Sequence, residues 1–301
     1  MRLPKSPRPP RLRSLEDMTS WKPSVLAQVD QWPVDTVAAA VRADDGGWHT
    51  HGDSGRVFEL ASVTKLLAAV GMLVAVEEGA VELDQELTPP GHGATVRHLL
   101  AHSGGVGFAR RDLEKEPGER RIYSSAGFDI IADVIAAEAE MPFSEYLRQA
   151  VFEPLGMDDS VLDGSAGHGA RSSVANLMAF VDEIFTPTLL HPDTVTEALT
   201  VQFPGLNGVV PGYGMQRPAD WGLGFEIFGH PDSKQGLWFG ASMPKDVAGH
   251  FGQAGTFLWL HRPTGRAAIA LTDRAFGEWA KPLWTDFNDE LWRELEEHAE
   301  D

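Results

Sequence analysis

The chain has 301 residues with 43 % apolar and 23 % charged side chains, a length and composition that supply a sizeable globular core and rule out a disordered chain. Its 25 Lys and Arg against 44 Asp and Glu give a net charge of −19, which argues against nucleic-acid and membrane-surface partners because both present phosphate. No cysteine is present, so disulfides, thiolate zinc sites and a cysteine nucleophile are excluded, and a reducing compartment fits.

Residues 1–16 carry five basic side chains and four prolines but no apolar stretch. They read as neither secretory signal nor anchor, with Met18 as an alternative start, and the expected location is cytoplasmic. We expect a disordered basic arm over residues 1–18 and a single domain over residues 19–301. Strand patterns follow across residues 32–60, broken by the turn Asp44 to Gly47. Helical periods then dominate: 62–78, 95–102, 125–140, 143–152, 172–185 and 192–199. The longest nearly apolar run, 66–76, has eleven residues, well short of the ~20 that span a bilayer. Extended patterns return at 221–228, 255–262 and 266–273, the last two joined by the turn Pro263 to Gly265. A final helix over 278–298 places Trp284, Phe287 and Leu291 on one face, and Trp279, Trp284 and Trp292 read as its packing residues. Strands at both ends with helices between imply an α+β fold. One antiparallel sheet is built from both termini, an α/β part about 19–61 plus 210–301, with an all-helical region inserted at about 62–209. The cleft belongs where the two parts meet.

Several motifs are missing. There is no phosphate loop and no His-Glu-x-x-His pair, Gly91-His92-Gly93 leads to Val96 where a dinucleotide loop needs glycine, and Gly52 to Arg56 fails the Gly-x-Ser-x-Gly elbow. The eleven histidines show no metal-ligand spacing. Neither a metal nor an organic cofactor is expected.

What remains is Ser62 with Lys65 three residues on, at the head of a long apolar helix. At that spacing both side chains share one face. A serine hydroxyl needs a base to become a nucleophile, and a lysine whose pKa is lowered by burial can be that base. Backbone N–H groups at the helix start can meet an oxyanion. A capping serine with an unrelated lysine is the plainer alternative.

With Tyr123-Ser124-Ser125 leading into a helix and the turn Pro154 to Met157, with Arg97 to Phe108 between, and with His250-Phe251-Gly252 ahead of two apolar strands, the sequence resembles the serine β-lactamase-like superfamily. That superfamily comprises class C β-lactamases, DD-peptidases and related esterases. The resemblance spans about residues 56–274 and implies the β-lactamase/transpeptidase-like fold. It implies Ser62, Lys65 and Tyr123 as catalytic residues: Ser62 attacks an ester or amide carbonyl, Lys65 takes its proton directly or through Tyr123, and Tyr123 protonates the leaving group. The same resemblance implies Ser125, His250, Phe251, Gly252 and Gln253 around the substrate, with the N–H groups of Ser62 and Gln253 holding the oxyanion. Tyr123 as an ordinary half-buried tyrosine and His250 as a hydrogen-bonding residue within the sheet remain alternatives.

Two positions depart from the family. Ser125 stands where asparagine is common, and Phe251 replaces a threonine or serine whose hydroxyl helps hold a substrate carboxylate. A phenyl ring in the cleft favours uncharged acyl groups. The expected function is a serine hydrolase acting through an acyl-enzyme on small esters or amides. DD-peptidase or β-lactamase activity is the alternative, and a catalytically silent binding protein of the same fold the further one.

Overall fold

The computed structural model describes residues 22–229 and 237–300, so the arm expected over residues 1–18 lies outside the described residues. Six antiparallel strands form the central sheet in the order β2-β1-β11-β10-β9-β8. These are β1 (Val37–Arg42), β2 (Trp48–His51), β8 (Glu226–Ile227), β9 (Ala248–Gly252), β10 (Thr256–His261) and β11 (Arg266–Thr272). The two N-terminal strands pair with the C-terminal block through β1 and β11, in the register Val37 opposite Thr272 to Arg42 opposite Ala267. Both termini therefore build one sheet, as the strand patterns predict.

Strands β10 and β11 are buried along their whole lengths, because both faces of the sheet are covered. On one face Phe257, Trp259, Ala268 and Ala270 pack with Trp284, Phe287, Leu291 and Trp292 of the C-terminal helix Ala280–Glu300. On the other, Leu258, Leu260, Ile269 and Leu271 join the core of the inserted region. The alternation follows from the pleat, which sends successive side chains to opposite faces.

The inserted region centres on helix α1 (Thr64–Glu77), whose residues from Thr64 to Ala75 are all buried. Around it lie α2 (Val96–Leu100), α3 (Ser125–Glu138), α4 (Phe143–Leu147), α5 (Val174–Phe185) and α6 (Pro192–Ala198), which makes the C-terminal helix α7. It is not all helix. A small sheet of β3 (Val57–Glu59), β5 (Ala170–Ser173) and β4 (Val161–Leu162), in the order β3-β5-β4, runs beside α1, and β6 (Gly208–Val210) pairs with β7 (Gly214–Gln216). Residue 172, expected in a helix, lies in β5, and α5 begins two residues later behind the capping hydroxyl of Ser173. No described helix is long and apolar enough to cross a membrane.

Candidate active site

The chain enters α1 through a sharp corner. Ala61 has a left-handed φ of 45°, a conformation that costs a residue with a Cβ free energy and that recurs where a functional group must be aimed. A single 3-10 turn, Ala61–Val63, carries the half-buried Ser62 into the helix. Lys65, one turn on, is fully buried, with Nζ 3.5 Å from Ser62 Oγ.

Two further contacts hold Lys65 Nζ, which donates to Ser125 Oγ at 3.0 Å and to the Gly167 carbonyl at 2.7 Å. Both acceptors are built in. Ser125 opens α3 behind the capping hydroxyl of Ser124, which accepts from the Gly127 N–H. Gly167 sits on a loop pinned by Asp129 of α3, whose Oδ1 accepts from Ser165 Oγ at 2.7 Å and from the Ala166 N–H at 3.0 Å. A Cβ at residue 167 would lie 2.7 Å from Ser125 Cβ, so only glycine lets this carbonyl reach the lysine. Burial lowers the Lys65 pKa to about 7, with Asp129 pulling the other way. Much of the lysine is therefore neutral near pH 7, the state that a proton acceptor needs.

Tyr123 lies over Lys65, with the ring centroid 4.5 Å from Nζ. Its hydroxyl is 2.7 Å from His250 Nε2. Burial pushes the phenol well above its ordinary pKa, while a hydrogen bond with Ser62 acts in the opposite sense. His250 is buried on β9, and its Nδ1 lies 3.1 Å from Glu226 Oε2 on the adjoining β8. The same carboxylate oxygen accepts from Trp238 Nε1 at 3.1 Å. Burial keeps the His250 pKa below its ordinary value, opposed by Glu226.

The open side is a cleft of about 630 Å³ lined by Ser62, Ser125, Gln253, Phe108, Glu59 and Arg171 among others. Gln253 reaches it because Gly252 lies against the segment before the serine. A Cβ at residue 252 would come 2.2 Å from the Leu60 carbonyl oxygen and 3.2 Å from Ala61 Cβ. The Gly252 position thus works through backbone approach, and the Leu60 carbonyl is held from the same strand pair by Thr256 Oγ1 at 2.8 Å.

Ser62, Lys65, Tyr123, Ser125, His250, Gly252 and Gln253 come together. Phe251 does not join them. Its ring packs on the opposite face of β9, with centroids 4.9 Å from Phe276, 5.6 Å from Tyr213, 6.0 Å from Trp238 and 6.1 Å from Trp284. The expectation of an apolar contact with substrate at residue 251 is corrected by the pleat, since a strand that turns His250 toward the cleft turns its neighbour into the core. Sequence reasoning also missed Glu226, Gly167 and His102. The last accepts from the Ser124 N–H through Nδ1 at 3.1 Å and packs its ring 4.7 Å from that of Tyr123.

The sheet, the inserted region and the serine at the head of a buried helix define a protein with the β-lactamase/transpeptidase-like fold. The chain belongs to the Beta-lactamase family, whose profile matches residues 27–290, and members of that family are serine hydrolases. A beta-lactamase from Mycobacterium bovis is 45 % identical and superposes with a TM-score of 0.86, over 90 % of this chain and 99 % of that one. A mutant of simvastatin synthase (LovD) from Aspergillus terreus superposes with a TM-score of 0.73 at 16 % identity, over 91 % of this chain and 94 % of that one, a likeness of fold. Among curated proteins, Penicillin-binding protein 4* of Bacillus subtilis is 24 % identical over 188 residues, 50 % of this chain and 41 % of the relative. The D-alanyl-D-alanine-carboxypeptidase/endopeptidase AmpH of Escherichia coli is 26 % identical over 154 residues, 40 % of each chain. The matches thus span about two fifths of the length of these curated relatives.

Proposed function

We propose that this protein hydrolyses small esters or amides through an acyl-enzyme on Ser62. The observation that carries the reading is the state of Lys65. A neutral amine has two N–H groups and one lone pair. With the N–H groups directed at the Gly167 carbonyl and Ser125 Oγ, the lone pair is left for the Ser62 hydroxyl. Ser62 Oγ then attacks the substrate carbonyl as its proton passes to Lys65, and the resulting oxyanion is met by the N–H groups of Ser62 and Gln253. As the tetrahedral adduct collapses, the leaving atom takes a proton from Tyr123 and Lys65 returns one to Tyr123. Water later releases the acyl group from Ser62.

Charge in the cleft supports neutral substrates. Among the described lining residues, Arg171 is the one lysine or arginine; it is paired with Asp163 at 3.3 Å, and Glu59 adds a further carboxylate. A substrate carboxylate is poorly served there, so esters are favoured over penicillins and D-alanyl-D-alanine peptides, the substrates that the names of several relatives suggest. A fluorophosphonate probe together with short-chain p-nitrophenyl esters tests the reading. Labelling is expected on Ser62 alone, with ester turnover, and both are lost in Ser62→Ala while the fold is retained, since the Ser62 side chain caps neither the 3-10 turn nor α1. Labelling at another serine, found by peptide mapping, sinks the assignment. An unlabelled protein points to a silent cleft.

A further inference from the structure

Glu226 and His250 are both buried, face each other from neighbouring strands, and end a chain of contacts that begins at Tyr123. The hydrogens of this chain can be assigned from its ends. Glu226 Oε2 receives the indole N–H of Trp238, a pure donor. A carboxylate can only accept, so the nitrogen of His250 that faces it, Nδ1, carries the hydrogen. In a neutral imidazole the other nitrogen, Nε2, is then a lone pair, and at 2.7 Å it accepts from the Tyr123 hydroxyl. That leaves the Tyr123 oxygen with its lone pairs, not its hydrogen, toward Ser62 and Lys65.

We propose that Glu226 is a positioning residue for proton transfer, which fixes the Nδ1–H tautomer of His250 and so keeps the Tyr123 oxygen open to the proton held by Lys65. This rests on the acyl-enzyme reading above. During collapse of the adduct the C–O bond to the leaving group breaks, the carbonyl re-forms, and the Tyr123 O–H turns from His250 Nε2 to the leaving oxygen and gives it the proton. Tyr123 takes one from the Lys65 ammonium, which becomes the neutral amine again. Tyr123 ends as it began, its new O–H again donating a hydrogen bond to His250 Nε2. With the other tautomer, Nε2–H would donate to Tyr123, take one of the two lone pairs of its oxygen and turn the hydroxyl hydrogen toward Ser62 and Lys65, against the proton that Lys65 holds.

The test separates tautomer from turnover. Long-range 15N–1H correlation spectra of the histidine side chains, with His250 assigned through His250→Gln, are expected to show Nδ1 protonated in the native protein and in Glu226→Gln, whose amide oxygen can take both hydrogen bonds. In Glu226→Met the preference is expected to be lost. The kinetic counterpart compares an ethyl ester with a p-nitrophenyl ester of the same acid, because ethoxide needs a proton to leave and p-nitrophenolate does not. Glu226→Met should lose at least tenfold more kcat/KM, which reports formation of the shared acyl-enzyme, on the ethyl ester than on the p-nitrophenyl ester, and Glu226→Gln should recover most of that difference. Equal losses on the two esters make Glu226 merely structural and overturn the proposal. A native His250 protonated on Nε2 overturns it whatever the activity, and whether or not Glu226→Met folds. A native protein with the expected tautomer that labels on Ser62 yet turns over neither ester leaves the tautomer assignment standing and defeats the hydrolase reading instead.

Discussion

At Lys65, burial is what supports the proposed function. The side chain is fully enclosed, and the enclosure that lowers its pKa to about 7 leaves it able to shed its charge near neutrality, as the proposed role of base requires. The ammonium has no lone pair, so kcat/KM for a neutral ester is expected to rise with pH through about 7 and then level. A rate independent of pH between about 6 and 8 would remove Lys65 from the role of base. Tyr123 lies over the same nitrogen, at 4.5 Å from ring centroid to Nζ, and in the proposed mechanism the two act as one unit. Residues of that kind are non-additive. The double variant Lys65→Ala/Tyr123→Phe should therefore lose little more kcat/KM than the worse single variant, whereas losses that simply multiply mean two independent roles.

Strand β9 shows at the scale of an element how one pleat divides function from stability. His250 faces Tyr123, and Phe251 faces the aromatic core beneath α7. Phe251→Thr is accordingly expected to cost about 3–5 kcal/mol of stability, the range for deleting a buried phenyl ring. It should leave the ratio of ester to penicillin turnover unchanged. A shift of that ratio with the urea midpoint intact would return residue 251 to the cleft. The same strand marks how far the sequence could be read. Ser62, Lys65, Tyr123 and Ser125 are legible because each belongs to a short local pattern at the head of a helix, and the apolar alternation of β10 and β11 gives their pairing. Glu226 was not legible, since it meets His250 only through the pairing of β8 with β9, 24 residues apart, and β8 is two residues long. Gly167 reaches Lys65 across 102 residues of sequence from a loop with no periodicity. β4 and β5, of two and four residues, are too short for alternation to declare itself.

Across the whole molecule, the site makes itself felt as a dependence of stability on pH. The unfolded chain holds a proton on residue 65 up to its ordinary value of 10.5, whereas the folded chain releases it at about 7. Between those values the unfolded state binds more protons, so this group's contribution to stability rises with pH, and below about 7 it is flat because both states are protonated. The buried His102 and His250, with pKa values below 6.5, act in the same sense at lower pH. The unfolded histidines take up protons as the pH falls through 6.5 while the folded ones stay neutral. Above pH 10 the sign reverses, since burial holds the phenols of Tyr123 and Tyr213 protonated after the unfolded chain has ionised them. Stability should therefore climb from about pH 5 to a maximum between about 8 and 10. The net charge of −19 grows more negative over the same range and opposes the climb through self-repulsion, so the comparison needs a variant that isolates the lysine. Lys65→Met keeps the volume and removes the titration. The difference in unfolding free energy between native protein and Lys65→Met, taken from urea midpoints at each pH, is expected to change in favour of the native protein between pH 7 and 10 with a slope on the order of 1 kcal/mol per unit. It should be level below 7. Turnover is expected to be lost in the variant throughout, and at pH 6 it should also give up the least stability relative to the native chain, because there the native fold encloses an ammonium whose acceptors among the described residues are Ser62 Oγ, Ser125 Oγ and the Gly167 carbonyl. A difference that does not vary with pH would mean that Lys65 titrates alike in both states, and its action as a base near pH 7 would lose its physical ground.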